Sequence, residues 1–448
     1  LYRLRALKQT LIRRLFTFRL LLLLLLQASS AAVALQSGCS ELVCIIKDWN
    51  PALENSFTLN REPAQFMFMK FVNLQTLSLN LAMLQEKGLL ERDTSIKNSP
   101  VQSVHVPTGI ELAALNVHQT DLVYLTFERN NTNLETLCIS HSRLKHVPVT
   151  VTHLQAVKRI DITFARIETV QFAQFARLLH LTILTLNFNL IKHLDYSPSS
   201  DEDFPELKEL HLSNNLLKMI NFSHFNTMHA LEALYLSSNQ IINIEPSPLL
   251  TPSLKFFDLS HNAIIQLSAC NWTVGSLVSF GIHNNSLELF PPCLEDTLSS
   301  VKYLHMSFNS LSDDSIWRRV VSLKNLRIID LGYNRFTSLV MDTVIPSLKY
   351  LNLQYNPITR LSVTAANDGL SINVRCGRIE EFDPTNVTHS VIALDMHHCP
   401  LDCSWDARCN DVRMNDGWQW LPNPLQYSVE LHTGLPCSTK HVFRGSIC

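Results

Sequence analysis

Two stretches, LKELHLSNNLLKMI at 207–220 and LEALYLSSNQIINI at 231–244, carry one pattern 24 residues apart. Leu recurs at the first, fourth and sixth places, Asn stands at the ninth and an aliphatic residue at the eleventh. A unit this short cannot bury its own apolar face, so it is stable only where copies stack and cover one another. A chain of 448 residues would ordinarily divide into two or three domains, but that expectation assumes cores that grow in three dimensions. A stack grows in one.

The pattern is found fourteen times, with first places at 74, 112, 134, 157, 181, 207, 231, 254, 277, 301, 326, 348, 369 and 391. Most steps are 21–26 residues, and the gap from 74 to 112 is expected to hide a degenerate copy around Ile96 and Val101. Within a copy, Leu210-His211-Leu212 alternates with the two-residue period of a strand, both Leu inward and His211 outward. The ninth place leaves the strand. Asn189, Asn215, Asn239, Asn262, Asn285, Asn309, Asn334 and Asn356 occupy it in eight successive copies, where an amide can satisfy backbone groups that the turn would leave unpaired. Segments such as Phe222–Met228 supply a second apolar set, expected as short helical or irregular turns. Ala82, Thr120, Ser142 and Ala165 replace Asn in the early copies, and Gly377 and Cys399 in the last two, so the ends follow the pattern more loosely. LxxLxLxxNxL is the leucine-rich repeat motif. The expected fold is α/β, a leucine-rich repeat solenoid (horseshoe) with a parallel concave sheet, about 14–15 repeats and disulfide-capped ends.

Arg3, Arg5, Lys8, Arg13, Arg14 and Arg19 precede the unbroken run Leu20–Leu26, and Ala32-Val33-Ala34 offers small residues for cleavage before Leu35. This reads as a secretory signal peptide over 1–34, its apolar run short for the ~30 Å of a bilayer core; the alternative is an uncleaved anchor. The remainder divides into an amino-terminal cap at 35–73, repeats over 74–401 and a cysteine-rich carboxy-terminal cap at 402–448. Without residues 1–34 the chain has 31 Lys/Arg against 39 Asp/Glu, a charge of −8. Nucleic acid is not an expected partner, and neither is a membrane once the signal is cleaved.

Export changes the meaning of the eleven Cys, because an oxidising compartment favours disulfides over thiolate metal sites. Cys270 and Cys293 each fall sixteen residues after their first places, 254 and 277, so they should lie one above the other. A strand spacing of ~4.8 Å suits a disulfide's Cα separation of ~4.4–6.8 Å. Cys376 and Cys399, at the eighth and ninth places of the last two copies, form a second expected pair, and Cys39 and Cys44 of CSELVC a small loop on the amino-terminal cap. CPLDCSWDARC, followed by Trp418, Trp420, Cys437 and Cys448, resembles the cysteine-rich flank of extracellular leucine-rich repeats, although the usual Cys-x-Cys spacing is absent. That resemblance implies Cys403–Cys437 and Cys409–Cys448. His397, His398, Cys399, Cys403 and Cys409 can be read instead as a zinc cluster, but zinc needs four convergent donors, and no metal is expected. Cys138, left over at a fifth place, is either a half-exposed small residue or a free or interchain thiol.

Places two, three, five, seven and eight point out of the sheet and line the concave surface, which solenoids commonly use for binding. The candidate partner-binding residues there are Tyr235, Phe256, Asp258, His261, Tyr303, His305, Phe308, Asp330, Tyr333, Tyr350 and Tyr355. Aromatics left outside while Leu fills the core are candidate interface anchors; the bland alternative is cross-strand pairing. His211, His261, His283 and His305 either confer pH sensitivity or are ordinary surface residues. Asn130, Asn221, Asn271, Asn284 and Asn386 begin glycosylation sequons, Asn284 at the concave edge. A phosphate-binding glycine loop, a Gly-x-Ser-x-Gly elbow and a His-Glu-x-x-His motif are all absent, so neither enzymatic activity nor a cofactor is expected.

In its Phe- and His-rich, cysteine-capped style the chain is similar to the secreted leucine-rich immune proteins of insects. That resemblance implies circulation in haemolymph and binding of complement-like thioester proteins or pathogen surfaces. Long members add a coiled coil, which this sequence lacks, so it resembles the coil-less kind and coil-mediated dimerisation is not implied. The expected function is that of a secreted, non-catalytic protein-binding module in innate immunity, its ligand an extracellular protein or a pathogen surface. The alternative is the ectodomain of a cell-surface adhesion or Toll-like receptor. The oligomeric state is open.

Overall fold

The computed structural model describes residues 36–39, 43–52, 68–195 and 203–400. The segments expected as a signal peptide and a carboxy-terminal cap, the latter with Cys403, Cys409, Cys437 and Cys448, lie outside the described residues. What is described is a solenoid built on one 17-stranded sheet. Gln36–Cys39 turns back antiparallel on Val43–Lys47, and the Cys39–Cys44 disulfide ties the two. Every later junction is parallel, running through Phe68–Val72, Asp93–Ser99 and Ala114–Thr120 and ending on Val391–Asp395.

In each coil the fourth and sixth places point inward. Leu210 and Leu212, Leu234 and Leu236, and Leu304 and Met306 have no exposed surface. The opposite side is closed by a second apolar layer. Around Trp272, the rings of Phe222, Phe257 and Phe280 each lie 5.7 Å away. Edge contacts of this kind add to the burial of large rings.

The Asn ladder works as its spacing predicts. Asn189 Nδ2 donates to the carbonyls of Ile162 in the preceding coil and Leu186 in its own, at 2.8 and 3.0 Å, while its Oδ1 accepts from the Ile167 amide. Asn356 repeats the arrangement with Leu331, Leu353 and Phe336. One buried amide thus bridges two coils at the point where both leave the sheet.

Two sequence expectations are displaced. The coil assigned a first place at 74 has its sheet strand at Phe68–Val72, between Val43–Lys47 and Asp93–Ser99. Its inward residues are Met69 and Phe71, and Leu74 is its ninth residue. Leu74, Leu77 and Leu79 imitate the 1-4-6 spacing, but Leu79 lies in Ser78–Asn80, part of a separate three-stranded sheet. Parallel coils therefore begin at Val43, and the degenerate copy is Asp93–Ser99 with Ile96 inside.

The second correction concerns Cys376 and Cys399, which do not pair. Cys376 is disulfide-bonded, whereas Cys399 keeps a free thiol. The eighth place carries a left-handed backbone, φ 56° at Cys376, and turns away from the core, while the ninth turns inward. Cys399 Sγ donates to the Val374 carbonyl at 3.3 Å, the bond to the preceding coil's sixth place that the ladder asparagines make. Gly377 makes room for it, since a Cβ there would stand 3.3 Å from that sulfur. Burial pushes the Cys399 thiol up to about 11, so it stays protonated and unreactive.

The predicted staple is present. Cys270 and Cys293 are disulfide-bonded, their Cα atoms 4.8 Å apart, one coil above the other.

Candidate functional site

The outward side chains of the sheet fall into separate rows. Third places carry Phe256, Tyr303, Ile328 and Tyr350. Fifth places carry His211, Tyr235, Asp258, Gly281, His305 and Asp330 along one hydrogen-bonded register. Eighth places carry His261, Asn284, Phe308, Tyr333 and Tyr355, just beyond the strand ends. The eleven predicted residues thus share one face but form three parallel rows.

Each row has its own chemistry. In the fifth-place row Asp258 and Asp330 spend an oxygen on their own turns. Asp258 Oδ1 accepts from the Ser260 amide at 2.9 Å, and Asp330 Oδ1 accepts from the Gly332 amide at 3.1 Å and from Asn352 Nδ2 at 2.8 Å. Asn352, Asn373 and Asp395 likewise accept from the amide two residues on. This device satisfies the seventh-place amide at the strand exit. Gly281 opens a notch between Asp258 and His305, and a Cβ there would lie 3.1 Å from Asp258 Oδ1. Beside the notch, burial holds the His283 and His305 imidazoles below their ordinary range, although Asp258 and Asp330 pull the other way. Both are therefore neutral at physiological pH.

Among the aromatics, Tyr235 stacks on His211 with ring centres 4.7 Å apart, and burial pushes its hydroxyl up. Tyr350 is half-buried with its hydroxyl also pushed up by burial, Tyr303 is half-buried, and Phe256 is exposed. The eighth-place row is the most ordered. Phe308, Tyr333 and Tyr355 form a continuous stack with centroids 4.0 and 4.2 Å apart and planes within 14° of parallel. Their faces lie against each other, so the ring edges line the rim of the sheet.

A second stack went unrecognised in the sequence. His141, Phe164 and Phe188 lie at eighth places with centroids 4.5 and 4.3 Å apart, and each Phe is 44% exposed. The signal was the residue preceding the ladder place. In all sixteen coils among the described residues that residue has positive φ, from Asp48 and Asn73 to Cys376 and His398. Between the two stacks the rim is polar: Asn214, Ser238, His261 and Asn284, with the Asn284 amide 2.6 Å from His261 Nδ1.

Of the sequon asparagines, Asn130, Asn271, Asn284 and Asn386 are exposed. Asn221 is half-buried, its Oδ1 accepting from the Ser223 amide and its Nδ2 donating to Glu245. Cys138 is half-buried, with burial and then Asp161 pushing its thiol up. Among the described residues no three His, Cys, Asp or Glu side chains are grouped to hold a metal ion, and no helix is long and apolar enough to cross a membrane.

Stacked parallel coils joined by an Asn ladder are the leucine-rich repeat solenoid fold, and residues 205–264 match the family described as Leucine rich repeat. Over 312 residues the chain is 25% identical to lumican of Rattus norvegicus, covering 68% of this chain and 81% of lumican. Among solved structures it is similar to the LRIM1/APL1C complex, with a TM-score of 0.54 at 15% identity over 79% of this chain and 64% of that one. It is equally similar to the TLR13–ssRNA13 complex, with a TM-score of 0.54 at 16% identity over the same shares. These two likenesses concern the fold, and the chain spans less than two thirds of either solved chain.

Proposed function

We propose that this protein is a secreted, non-catalytic recognition module of innate immunity that binds an extracellular protein or a pathogen surface through the sheet face and its aromatic rim. The reading rests on the eighth-place backbone. Positive φ is tolerated by Asn and Asp but disfavoured for bulky side chains, at a cost of ~1–3 kcal/mol per residue. Asn73, Asn98, Asn214 and Asn284 show the residue that backbone geometry alone would select, yet Phe308, Tyr333 and Tyr355 stand at φ 54–56°. Stacking returns about 0.5–1.5 kcal/mol per pair, which does not fully offset that cost. Strained residues kept against their own backbone preference support a binding role. The resemblance to insect immune proteins supplies the class of partner.

The test replaces the stack by residues the backbone prefers. Phe308→Asp, Tyr333→Asn and Tyr355→Asn combined, which create no glycosylation sequon, should leave the unfolding free energy within ~1 kcal/mol of wild type, or raise it. Affinity capture from the source body fluid, read by mass spectrometry, should lose the partners that wild type retains. Unchanged capture by a correctly folded variant would remove the rim from the binding site.

A further inference from the structure

The second places of the coils, at the entry to the strands, form a row of mostly charged residues, interrupted by Thr182 and Val278, whose character changes along the solenoid. Backbone bonds fix the stacking. The Thr182 amide donates to the Lys158 carbonyl, Lys208 to Thr182, Glu232 to Lys208, Lys255 to Glu232, Val278 to Lys255, Lys302 to Val278, Arg327 to Lys302 and Lys349 to Arg327. In the first half acids alternate with the cations: Lys158 reaches Glu135 at 2.8 Å, Lys255 reaches Glu232 at 2.7 Å, and Lys208 stands one coil from the same Glu232. In the second half Lys302, Arg327 and Lys349 follow one another in consecutive coils with no acid in the row. Lys349 Nζ donates to the Asp368 backbone carbonyl at 2.6 Å, while the Asp368 carboxylate accepts from the Ser390 hydroxyl.

We propose that Lys302, Arg327 and Lys349 form a binding strip for a linear sulfated polysaccharide, an assignment independent of the partner reading above. Three cations one strand spacing apart, ~4.8 Å, repel one another, and the paired lysines upstream show how the same scaffold neutralises the row where no anion is needed. The strip runs along the solenoid axis for about 10 Å and has an Arg at its centre, whose planar fork suits the oxygens of a tetrahedral anion. An extended chain carrying an anion on successive sugars fits such a strip. A single-stranded nucleic acid would also need exposed aromatic faces for its bases. The neighbouring third-place residues, Tyr303, Ile328 and Tyr350, are half-buried.

Immobilised heparin is the probe, applied to the full chain. Wild type should be retained at a physiological ionic strength of about 0.15 M and released by added salt. Lys302→Gln, Arg327→Gln and Lys349→Gln combined should weaken binding by about tenfold or more, as loss of three counterion-releasing contacts would. Lys158→Gln with Lys255→Gln should change it less than about twofold. Thermal unfolding establishes that the variants are folded, and should the triple variant fail to fold, Lys302→Gln with Lys349→Gln serves in its place. Absence of retention by wild type overturns the proposal, as does equal retention by the folded variant. Equal binding of unsulfated hyaluronan, or of poly(U) with the same dependence on the strip, would overturn the assignment to a sulfated chain.

Discussion

Two regions of one sheet solve the same backbone problem differently. In the coils of Asp93–Ser99 and Ala114–Thr120 the strands are seven residues long, and a second sheet of Ser78–Asn80, Ser103–Val106 and Tyr124–Phe127 covers the far side. From Ile183–Thr185 to Tyr350–Asn352 every strand of the 17-stranded sheet has three residues, and these are the coils that carry the ladder asparagines. Where the ninth place holds Ser99 or Thr120, the strand partners run on to Ser99↔Thr120 itself. Where it holds Asn, the sixth-place carbonyl turns to the amide and regular strand pairing ends there. A polar side chain at one position thus substitutes for four further residues of strand pairing, all beyond the fifth place, and the far side is free to be irregular.

The largest effect that would test this contrast is loss of one ladder amide. Asn215 Nδ2 donates to the Leu186, Leu212 and Ser213 carbonyls, and its Oδ1 accepts from the Ile191 amide. Asn215→Ala leaves those buried groups unpaired and should cost ~3 kcal/mol or more in urea unfolding. Thr120 occupies the same place upstream with a buried hydroxyl that has no hydrogen-bond partner, so Thr120→Val should be neutral or stabilising within about 1 kcal/mol. Equal costs at the two positions would refute the division.

Next in size is the staple on the irregular far side of the central coils. Non-reducing peptide mapping should recover Cys270 linked to Cys293, and replacing both by Ser should cost ~2–4 kcal/mol. A smaller loss would show that stacking alone holds those turns.

The smallest effect is a pH dependence. The folded His283 and His305 have their pKa below the ordinary 6.5, with burial outweighing Asp258 and Asp330, and His261 acting with burial on His283. The unfolded chain therefore binds more protons as the medium is acidified. Their contribution is fully present above about pH 6.5 and is lost as pH falls toward the folded values. Thermal unfolding should move to lower temperature between pH 7 and 5. His118, in the long-stranded region, is lowered by burial and then by Lys97, against Asp161. His283→Gln with His305→Gln should flatten the profile more than His118→Gln; the reverse order would place the sensitivity upstream.

The central coils were legible because their information is local and repeated. Asn215 and Asn239 occupy the same place 24 residues apart, and an equal offset of sixteen residues put Cys270 over Cys293. The coil of Phe68–Val72 was not, because Met69 and Phe71 fill the places that Leu takes elsewhere while Leu74, Leu77 and Leu79 imitate the pattern eight residues late. The pairing of Cys376 with Cys399 failed for a reason invisible in spacing: adjacent places at the strand exit turn their side chains to opposite sides. Likewise, the proposed binding residues could be assigned to a face from the repeat, but not to rows.

What the sequence by itself determined is the period, and with it the stacking of coils, the inward leucines, the ladder and the staple. Each follows from burying a repeated apolar face and pairing a repeated set of backbone groups. Tertiary structure decided what happens where the chain leaves the sheet. A left-handed residue recurs at every eighth place, whatever its side chain, because the turn into the ladder requires it. Only the superposition of neighbouring coils at one strand spacing brings Phe308, Tyr333 and Tyr355 into a single stack and Lys302, Arg327 and Lys349 into a single strip, since residues more than twenty positions apart in sequence become neighbours once the coils are closed.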